Sequence, residues 1–224
     1  MKKVYTIVLA AALMLLGTQA KAQLNIGLGY LNSTEIASQL SDNKEVGRSG
    51  LNGMFVGASY NIEIVNGFGV APGFYVDVLF AEKTESAGGA IFGIPVTGSV
   101  TATYREVALN VPINLNYKYE VNNNFAIFVY AGPVFQYGVS SKTTYHGGAR
   151  LGNLTFNDGD VYNHYDPKNG DSNPFNIFLG GGAGVQLGDI QLHVGYDHSL
   201  LNCYKGDNYN IRRSQIKVGV NFEF

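Results

Sequence analysis

The chain has 224 residues with a net charge of −2, so it lacks the basic excess that would favour nucleic-acid binding. Only 14% of its residues are charged, and 29 glycines, 15 tyrosines and 13 phenylalanines fill the difference. A single cysteine excludes an intramolecular disulfide, and the composition favours strands that face a different solvent on each side.

The N-terminus has the pattern of a secretory signal peptide. Two lysines precede an apolar run from Val4 to Gly17, and Ala20-Lys21-Ala22 supplies small residues for cleavage before Gln23. The run is shorter than the roughly 20 apolar residues that a transmembrane helix needs. We therefore predict a signal peptide over residues 1–22 and one domain over residues 23–224.

From Gln23 onward, apolar residues alternate with polar ones, which in a strand sends them to opposite faces. Eight segments show this pattern. Their apolar registers are Leu24–Tyr30, Met54–Ile64, Val70–Phe80, Val107–Tyr117, Ile127–Tyr137, Ile177–Leu187, Ile190–Tyr196 and Ile216–Phe224. In the fifth segment Phe128, Tyr130 and Val134 occupy the polar face, so its register could be reversed. In the sixth, Gly180, Gly182 and Gly184 would fit an interior crowded by larger side chains from neighbouring strands.

The connections between the segments alternate in length. Tight hairpins are expected around Val65-Asn66-Gly67, Glu120–Asn124 and Gly188-Asp189. Long polar connections are expected over Ser33–Gly50, Lys83–Thr103, Ser140–Asn173 and Asn202–Tyr209, and β-branched residues in Ile91–Thr103 could extend the hairpin there beyond the membrane. Short periplasmic turns and long extracellular loops are typical of an eight-stranded antiparallel up-and-down transmembrane β-barrel with both termini in the periplasm.

Two segments resemble a known family. Ala131-Gly132-Pro133-Val134-Phe135-Gln136-Tyr137 resembles the fifth-strand signature of the outer-membrane beta-barrel domain family typical of Bacteroidota, and Val111–Tyr117 resembles its proline-bearing fourth strand. The resemblance extends over essentially the whole mature chain. It implies an architecture similar to OmpA- and OmpX-type barrels and an outer-membrane location, in a family whose members mostly have no assigned activity.

The end of the chain resembles an assembly signal. Phe222 and the terminal Phe224 resemble the pattern by which the barrel-assembly machinery recognises its clients, although an aromatic residue at the membrane edge would look the same. The expected partners are therefore this machinery, outer-membrane lipids and an unknown extracellular ligand at the long loops.

Charged residues on the polar faces should meet in the lumen, which in an eight-stranded barrel is about wide enough for side chains only. They are Glu63, Asp77, Glu106, Asp197, Arg213, Lys217 and Glu223. Taking the hairpin around Lys205 as a centre of symmetry places Asp197 opposite Arg213 and His193 opposite Lys217. A plug of mutually neutralising ions is favoured over a conducting pore or a proton path.

Tyrosines toward the strand ends should form an aromatic girdle at the headgroup level, with core packing as the alternative. They are Tyr30, Tyr60, Tyr117, Tyr137 and Tyr196.

The sequence offers little that could carry catalysis, and we expect no enzyme and no cofactor. His198 and Ser199 are adjacent on a strand and point to opposite faces, while His193 and Asp197 lie about 13 Å apart along it. A catalytic site would need partners from other strands. Acidic and amide residues between Ser140 and Asn173 could bind Ca²⁺, although their spacing fits no EF-hand and solvated loop surface is favoured.

Four functions follow in order of preference. The first is a structural or surface-interaction role through the long loops, and the second is a narrow porin-like passage for small solutes. The third is a lipid-modifying outer-membrane enzyme. The fourth is a soluble ligand-binding barrel, which would need the apolar face inside.

Overall fold

The protein is described by a computed structural model over residues 22–39, 44–85, 90–91, 94–151, 154–156 and 158–224. The predicted signal peptide, apart from residue 22, lies outside the described residues. Every regular element in these ranges is a strand. The strands are β1 (Ala22–Gln39), β2 (Glu45–Val65), β3 (Phe68–Glu85), β4 (Ala90–Ile91), β5 (Ile94–Asn122), β6 (Phe125–Leu151), β7 (Leu154–Phe156), β8 (Val161–Asn163), β9 (Phe175–Leu187), β10 (Ile190–Ser199) and β11 (Tyr209–Glu223).

Eight of these strands close into a ring. Its order is β1, β2, β3, β5, β6, β9, β10 and β11, with β11 pairing back onto β1 and every neighbour antiparallel. The short strands β4, β7 and β8 add to the rim on β5 and β6. The predicted eight-stranded antiparallel barrel is confirmed. Within the described ranges, no helix has the length and apolarity to cross a membrane.

The three tight turns lie at one end of the ring, where the first strand also begins and the last one ends. Asn66 and Gly67 have φ values of 45° and 82°, the left-handed region that an Asn-Gly hairpin turn requires. The other turns lie at residues 123–124 and 188–189. In outer-membrane barrels the end with short turns faces the periplasm, so the longer loops are extracellular.

The strands reach farther on the extracellular side than the sequence predicted. The predicted first residues of two long connections, Ser33 and Ser140, are wrong, because β1 continues to Gln39 and β6 continues to Leu151. Above the membrane both faces of a strand are wet, so the apolar alternation that marks a strand disappears. The predicted extension over Ile91–Thr103 is confirmed, because β5 begins at Ile94 and pairs with β6 along this stretch.

The two faces of the barrel wall differ as the alternation predicts. Large apolar side chains such as Leu28, Leu115 and Val218 are exposed on the outside, whereas Glu106 and Asn110 are buried inside. This is the arrangement of a barrel in lipid and excludes the soluble alternative, in which the apolar face would be internal. The fifth segment keeps its predicted register, with Ile127 and Val129 outside and Val134 inside.

Glycines on β9 make room for the large side chains of neighbouring strands, as predicted. A Cβ atom at Gly182 would lie 2.6 Å from Cζ of Tyr130, and one at Gly184 would collide with the ring of Phe128. The space that a Cβ atom at Gly180 would need is filled by the carboxylate of Asp197. Small residues therefore face large ones across a narrow interior.

A charge on the lipid face should destabilise the barrel. Val56 lies near the middle of β2 and is 52% exposed, whereas Val161 on β8 is 58% exposed beyond the barrel wall. We expect Val56→Arg to lower the free energy of unfolding by about 2–4 kcal/mol, because a guanidinium near the bilayer midplane is poorly solvated. Urea titrations in lipid vesicles, read by the gel shift between folded and boiled protein, would measure this. Val161→Arg is the matched control, and an equal loss in both variants would contradict the lipid-facing assignment.

Candidate functional site

The extracellular half of the lumen is built around one guanidinium. Arg213 on β11 donates from Nη1 to Oε1 of Glu106 at 2.8 Å and from Nη2 to Oε2 of Glu106 at 3.0 Å. Its Nε donates to Oε1 of Glu35 on β1 at 3.0 Å. Arg213 and Glu106 are both almost fully buried. This bidentate pair with a second acid ties together β1, β5 and β11 across the ring.

Two tyrosines complete the hydrogen bonding of Glu106. Tyr104 Oη donates to Glu106 Oε2, and Tyr165 Oη donates to Glu106 Oε1 at 3.0 Å. Tyr165 belongs to the loop between β8 and β9, and its ring packs on Gly138. The loop thus inserts a side chain into the extracellular end of the barrel.

The predicted opposition of Asp197 to Arg213 and of His193 to Lys217 is wrong by two residues. Asp197 is registered with Gln215, and His193 with Gly219. The connection after β10 does not turn symmetrically about Lys205, because its backbone is bound elsewhere. Lys205 N donates to the carbonyl of Asp171 at 2.9 Å in the preceding loop.

A second ion cluster lies deeper in the barrel, below the Arg213 cluster. Lys217 Nζ lies 3.0 Å from Oδ2 of Asp197 and 3.9 Å from Oδ2 of Asp77. Asp77 is only 1% exposed and Asp197 is 7% exposed. Two buried carboxylates therefore share one ammonium group.

A third cluster lies at the periplasmic end. Lys118 Nζ lies 3.4 Å from Oε1 of Glu223, whose carboxylate also accepts bonds from Gln186 and Gln191 at 2.8 and 2.7 Å. Glu63 lies apart from this cluster, because it accepts the backbone N–H of Gly67 at 3.0 Å beside the turn. Lys118 and Glu35 were missed in the sequence analysis, although the alternation of each strand places both residues on its inward face.

An apolar cluster lies on one side of the lumen. Leu31, Leu51, Phe55 and Leu79, which come from the adjacent strands β1, β2 and β3, are buried side by side. The lumen holds a cavity of about 40 Å³ beside the Arg213 cluster and one of about 130 Å³ beside the Lys217 cluster, and the two have no lining residue in common. In the part of the chain that the structure describes, these cavities do not form a continuous passage.

Two of the extracellular loops, the one between β8 and β9 and the one after β10, form a compact cap. His164 Nδ1 lies 3.0 Å from Oδ1 of Asp171, and Ser172 N donates to the carbonyl of His164. Burial alone would raise the pKa of Asp171, but the hydrogen bond and charge of His164, with the hydroxyl of Ser172, hold that pKa below its usual value. Asn173 N donates to the carbonyl of Cys203, which joins this loop to the one after β10.

The predicted membrane-interface tyrosines lie on the outer surface. Tyr30, Tyr60, Tyr137 and Tyr196 are exposed, and Tyr117 is half-buried against the ring of Phe68 at 4.5 Å. Phe222 on the last strand and Phe224 just after it are exposed, with ring centroids 4.8 Å apart. Headgroup contact and recognition by the assembly machinery stay predictions.

His198, which the sequence analysis considered together with Ser199, lies close to Ser214 instead. His198 Nδ1 lies 2.9 Å from Oγ of Ser214 on the outer face, where Tyr196 Oη also donates to Ser214. Ser199 points inward and is fully buried. Among the described residues, no group of three or more His, Cys, Asp and Glu side chains could hold a metal ion. Asn157, one of the amides considered for Ca²⁺, lies outside the described residues.

Removing the buried guanidinium should be far more costly than removing an exposed one. We expect Arg213→Met to lower the free energy of unfolding by about 3–5 kcal/mol, because Glu106 would be left buried without a counterion. Arg48→Met is the control, since Arg48 bonds Glu45 on the exposed surface and such pairs contribute at most about 1 kcal/mol. Urea unfolding of both variants gives the comparison. Similar losses would show that the lumen cluster is not a buried ion network.

Acidification should release the extracellular cap. A carboxyl whose pKa is lowered on folding stabilises the folded loop above its unfolded pKa, about 3.9 for Asp, and that stabilisation is lost as the pH falls through the folded value. Amide-exchange protection at Ser172 should thus be constant from pH 7 to 5 and fall below about pH 4. Asp171→Asn should abolish this fall in protection below about pH 4, and Asp207→Asn in the other loop should not. Protection that is unchanged by Asp171→Asn would exclude this carboxyl as the cause.

Comparison with solved structures finds several outer-membrane proteins to which the chain is similar. Among solved structures, the chain is similar to Ail of Yersinia pestis in complex with the heparin analogue sucrose octasulfate, with 14% identity over 91% of this chain and 99% of Ail and a TM-score of 0.40. It is also similar to neisserial surface protein A, with 13% identity over 92% and 100% of the two chains and a TM-score of 0.42. The Escherichia coli outer-membrane protease OmpT shares 10% identity over 94% and 100%, with a TM-score of 0.47.

No curated protein matches the sequence. The family comparison covers nearly all of it, because residues 8–224 match the outer membrane protein beta-barrel domain. The closed ring of eight strands, the exposed apolar wall and the ion-filled lumen are what such a domain requires. The chain therefore belongs to the outer membrane protein beta-barrel domain family.

Proposed function

We propose that this outer-membrane barrel has a structural and surface-interaction role, in which the folded extracellular loops are the recognition surface and no catalysis takes place. The separation of the lumen into two cavities carries the proposal. Because these two cavities are not continuous in the part of the chain that the structure describes, the extracellular loops and not the lumen are offered to outside molecules.

The loops have the internal order that a recognition surface needs. Lys205 Nζ donates to the carbonyls of Asp166 and Gly170 at 3.2 and 3.3 Å, and Ser172 pairs with Tyr204 across the two loops. Preorganised loops lose little conformational entropy when they bind, which supports affinity.

The surface of the cap carries side chains common in interfaces. Tyr209 and Val161 are exposed, and Tyr204 packs edge-on against Tyr209 with ring centroids 6.2 Å apart. Tyrosine combines a large contact area with a hydroxyl group and is enriched where proteins bind one another. These residues support a protein or glycan ligand at the loops.

A narrow passage for small solutes is the second candidate. The lower cavity favours it, since it continues toward the periplasmic rim through Asn61 and Lys118. A complete passage would require the buried Arg213 cluster in the extracellular half to separate. Breaking a buried ion pair costs about 3–5 kcal/mol, so we favour the closed barrel.

Binding and conductance measurements on one set of proteins separate the two functions. We expect protein in nanodiscs to bind at least one component of glycan and extracellular-matrix arrays, and to give no stable ohmic channels in planar bilayers. Replacing residues 158–172 with a short Gly-Ser linker should weaken binding at least about tenfold and keep the heat-modifiable fold.

The control variant changes the opposite end of the barrel. Substituting Asn123-Asn124 with Asp-Gly in a periplasmic turn should leave binding unchanged, because that turn lies at the far end from the loops. Stable ohmic currents from the wild-type protein would favour the passage. Binding that survives loop replacement would contradict a recognition role for the loop between β8 and β9.

A further inference from the structure

The lower cavity is a closed-ended pocket that faces the periplasm. It shares Asn61 and Lys118 with a cavity of about 310 Å³ at the periplasmic rim, and it shares no lining residue with the cavity beside the Arg213 cluster. One water needs about 10–15 Å³ on this measure, so 130 Å³ has room for about ten waters or a small organic molecule.

The inner part of this pocket carries more negative than positive charge. Asp77 and Asp197 line it with Lys217 as their shared counterion, whereas Lys118 lines the periplasmic end and is paired with Glu223. Within the described residues, neither carboxylate oxygen of Asp77 has a hydrogen-bond partner, although the side chain is 1% exposed. A buried carboxylate without hydrogen bonds is costly, so this site is more favourable when a second cation is bound.

Other polar atoms in the pocket also lack partners. Oδ1 of Asn25 and Oδ1 of Asn221 are buried, line the cavity and make no hydrogen bond within the described part of the chain. Both are acceptors, as is the unpartnered Oδ1 of Asn116, whereas Nδ2 of Asn110 is an unpartnered donor in the same cavity. With the Asp77 carboxylate included, acceptors outnumber donors and favour a ligand that donates hydrogen bonds.

Aromatic rings form an arc around the same space. The ring centroids of Tyr75 and Phe55 are 6.0 Å apart, those of Phe55 and His193 are 6.1 Å apart, and those of His193 and Tyr130 are 6.2 Å apart. All four rings line the cavity. Aromatic faces attract cations, and the attraction grows when water is excluded.

We propose that this pocket binds a small organic cation, an alkylammonium group with at least one N–H, which enters from the periplasmic end. Its charge compensates Asp77, its N–H groups donate to the free acceptors, and its alkyl part contacts the aromatic arc. An inorganic cation would satisfy the carboxylate but make little use of the rings, and a neutral ligand would leave the charge uncompensated. The site is separate from the extracellular loops and does not depend on their function.

The proposal can be tested with n-propylammonium chloride and the folded protein in nanodiscs. Ligand-observed NMR titrations should show saturable binding of n-propylammonium, about tenfold weaker or absent binding of n-propanol, and little competition from equimolar KCl. Empty nanodiscs correct for partition into lipid. Because this comparison uses the wild-type protein, it remains decisive whatever the stability of the variants.

Variants then locate the site. Asp77→Asn removes one charge without changing the shape of the side chain and should weaken binding about tenfold, and Tyr130→Leu should weaken it to a smaller extent. Glu45→Gln, which neutralises an exposed acid outside the barrel lumen, should have no effect. The proposal is overturned if n-propanol binds as well as n-propylammonium, if neither binds, if KCl displaces the ammonium at equal concentration, or if a folded Asp77→Asn protein binds normally.

Discussion

The structure depends on the need to neutralise ionic groups inside a cylinder whose outer face is in lipid. A side chain on the polar face of a strand has only the lumen to enter, and the lumen is narrow. Arg213 meets this condition by binding Glu106 through two parallel hydrogen bonds and by engaging Glu35 from another strand. The ion clusters therefore act as cross-braces between strands that are not neighbours in the ring.

Much of the fold follows from the sequence because a strand has a period of two. The outward position of Val111 and Ile113 and the inward position of Asn110 can be read from alternation alone, and Asn66-Gly67 specifies its own hairpin. The inward position of Lys118 could have been predicted by extending the alternation of its strand two residues beyond Asn116. The extracellular ends of β1 and β6 could not have been predicted, because apolar alternation is absent where both faces of a strand are in water.

The pairing of the ions could not be derived from the sequence because it depends on the path of the loops. A shift of two residues between β10 and β11 preserves every inward and outward assignment, so the apolar pattern cannot detect it. It nevertheless exchanges Arg213 for Gln215 as the neighbour of Asp197. The shift comes from contacts between two loops, such as that of Lys205 with Asp171. The entry of Tyr165 into the lumen has the same tertiary origin and no local sequence signal.

The distribution of small and large inward residues makes the two ends of the barrel unequal. In the extracellular half, leucines, Arg213 and Tyr165 fill the section of the barrel and leave only about 40 Å³. In the periplasmic half, glycines leave space that aromatic rings only partly fill; a Cβ at Gly29 or Gly219 would lie 2.6 Å from the ring of Phe55. Among the described residues the cavities of the two halves share no lining residue, whereas the cavity of about 130 Å³ shares two with the cavity at the periplasmic rim. The periplasmic end therefore presents a cavity and the extracellular end presents folded loops, because the inward residues differ in size along the barrel axis.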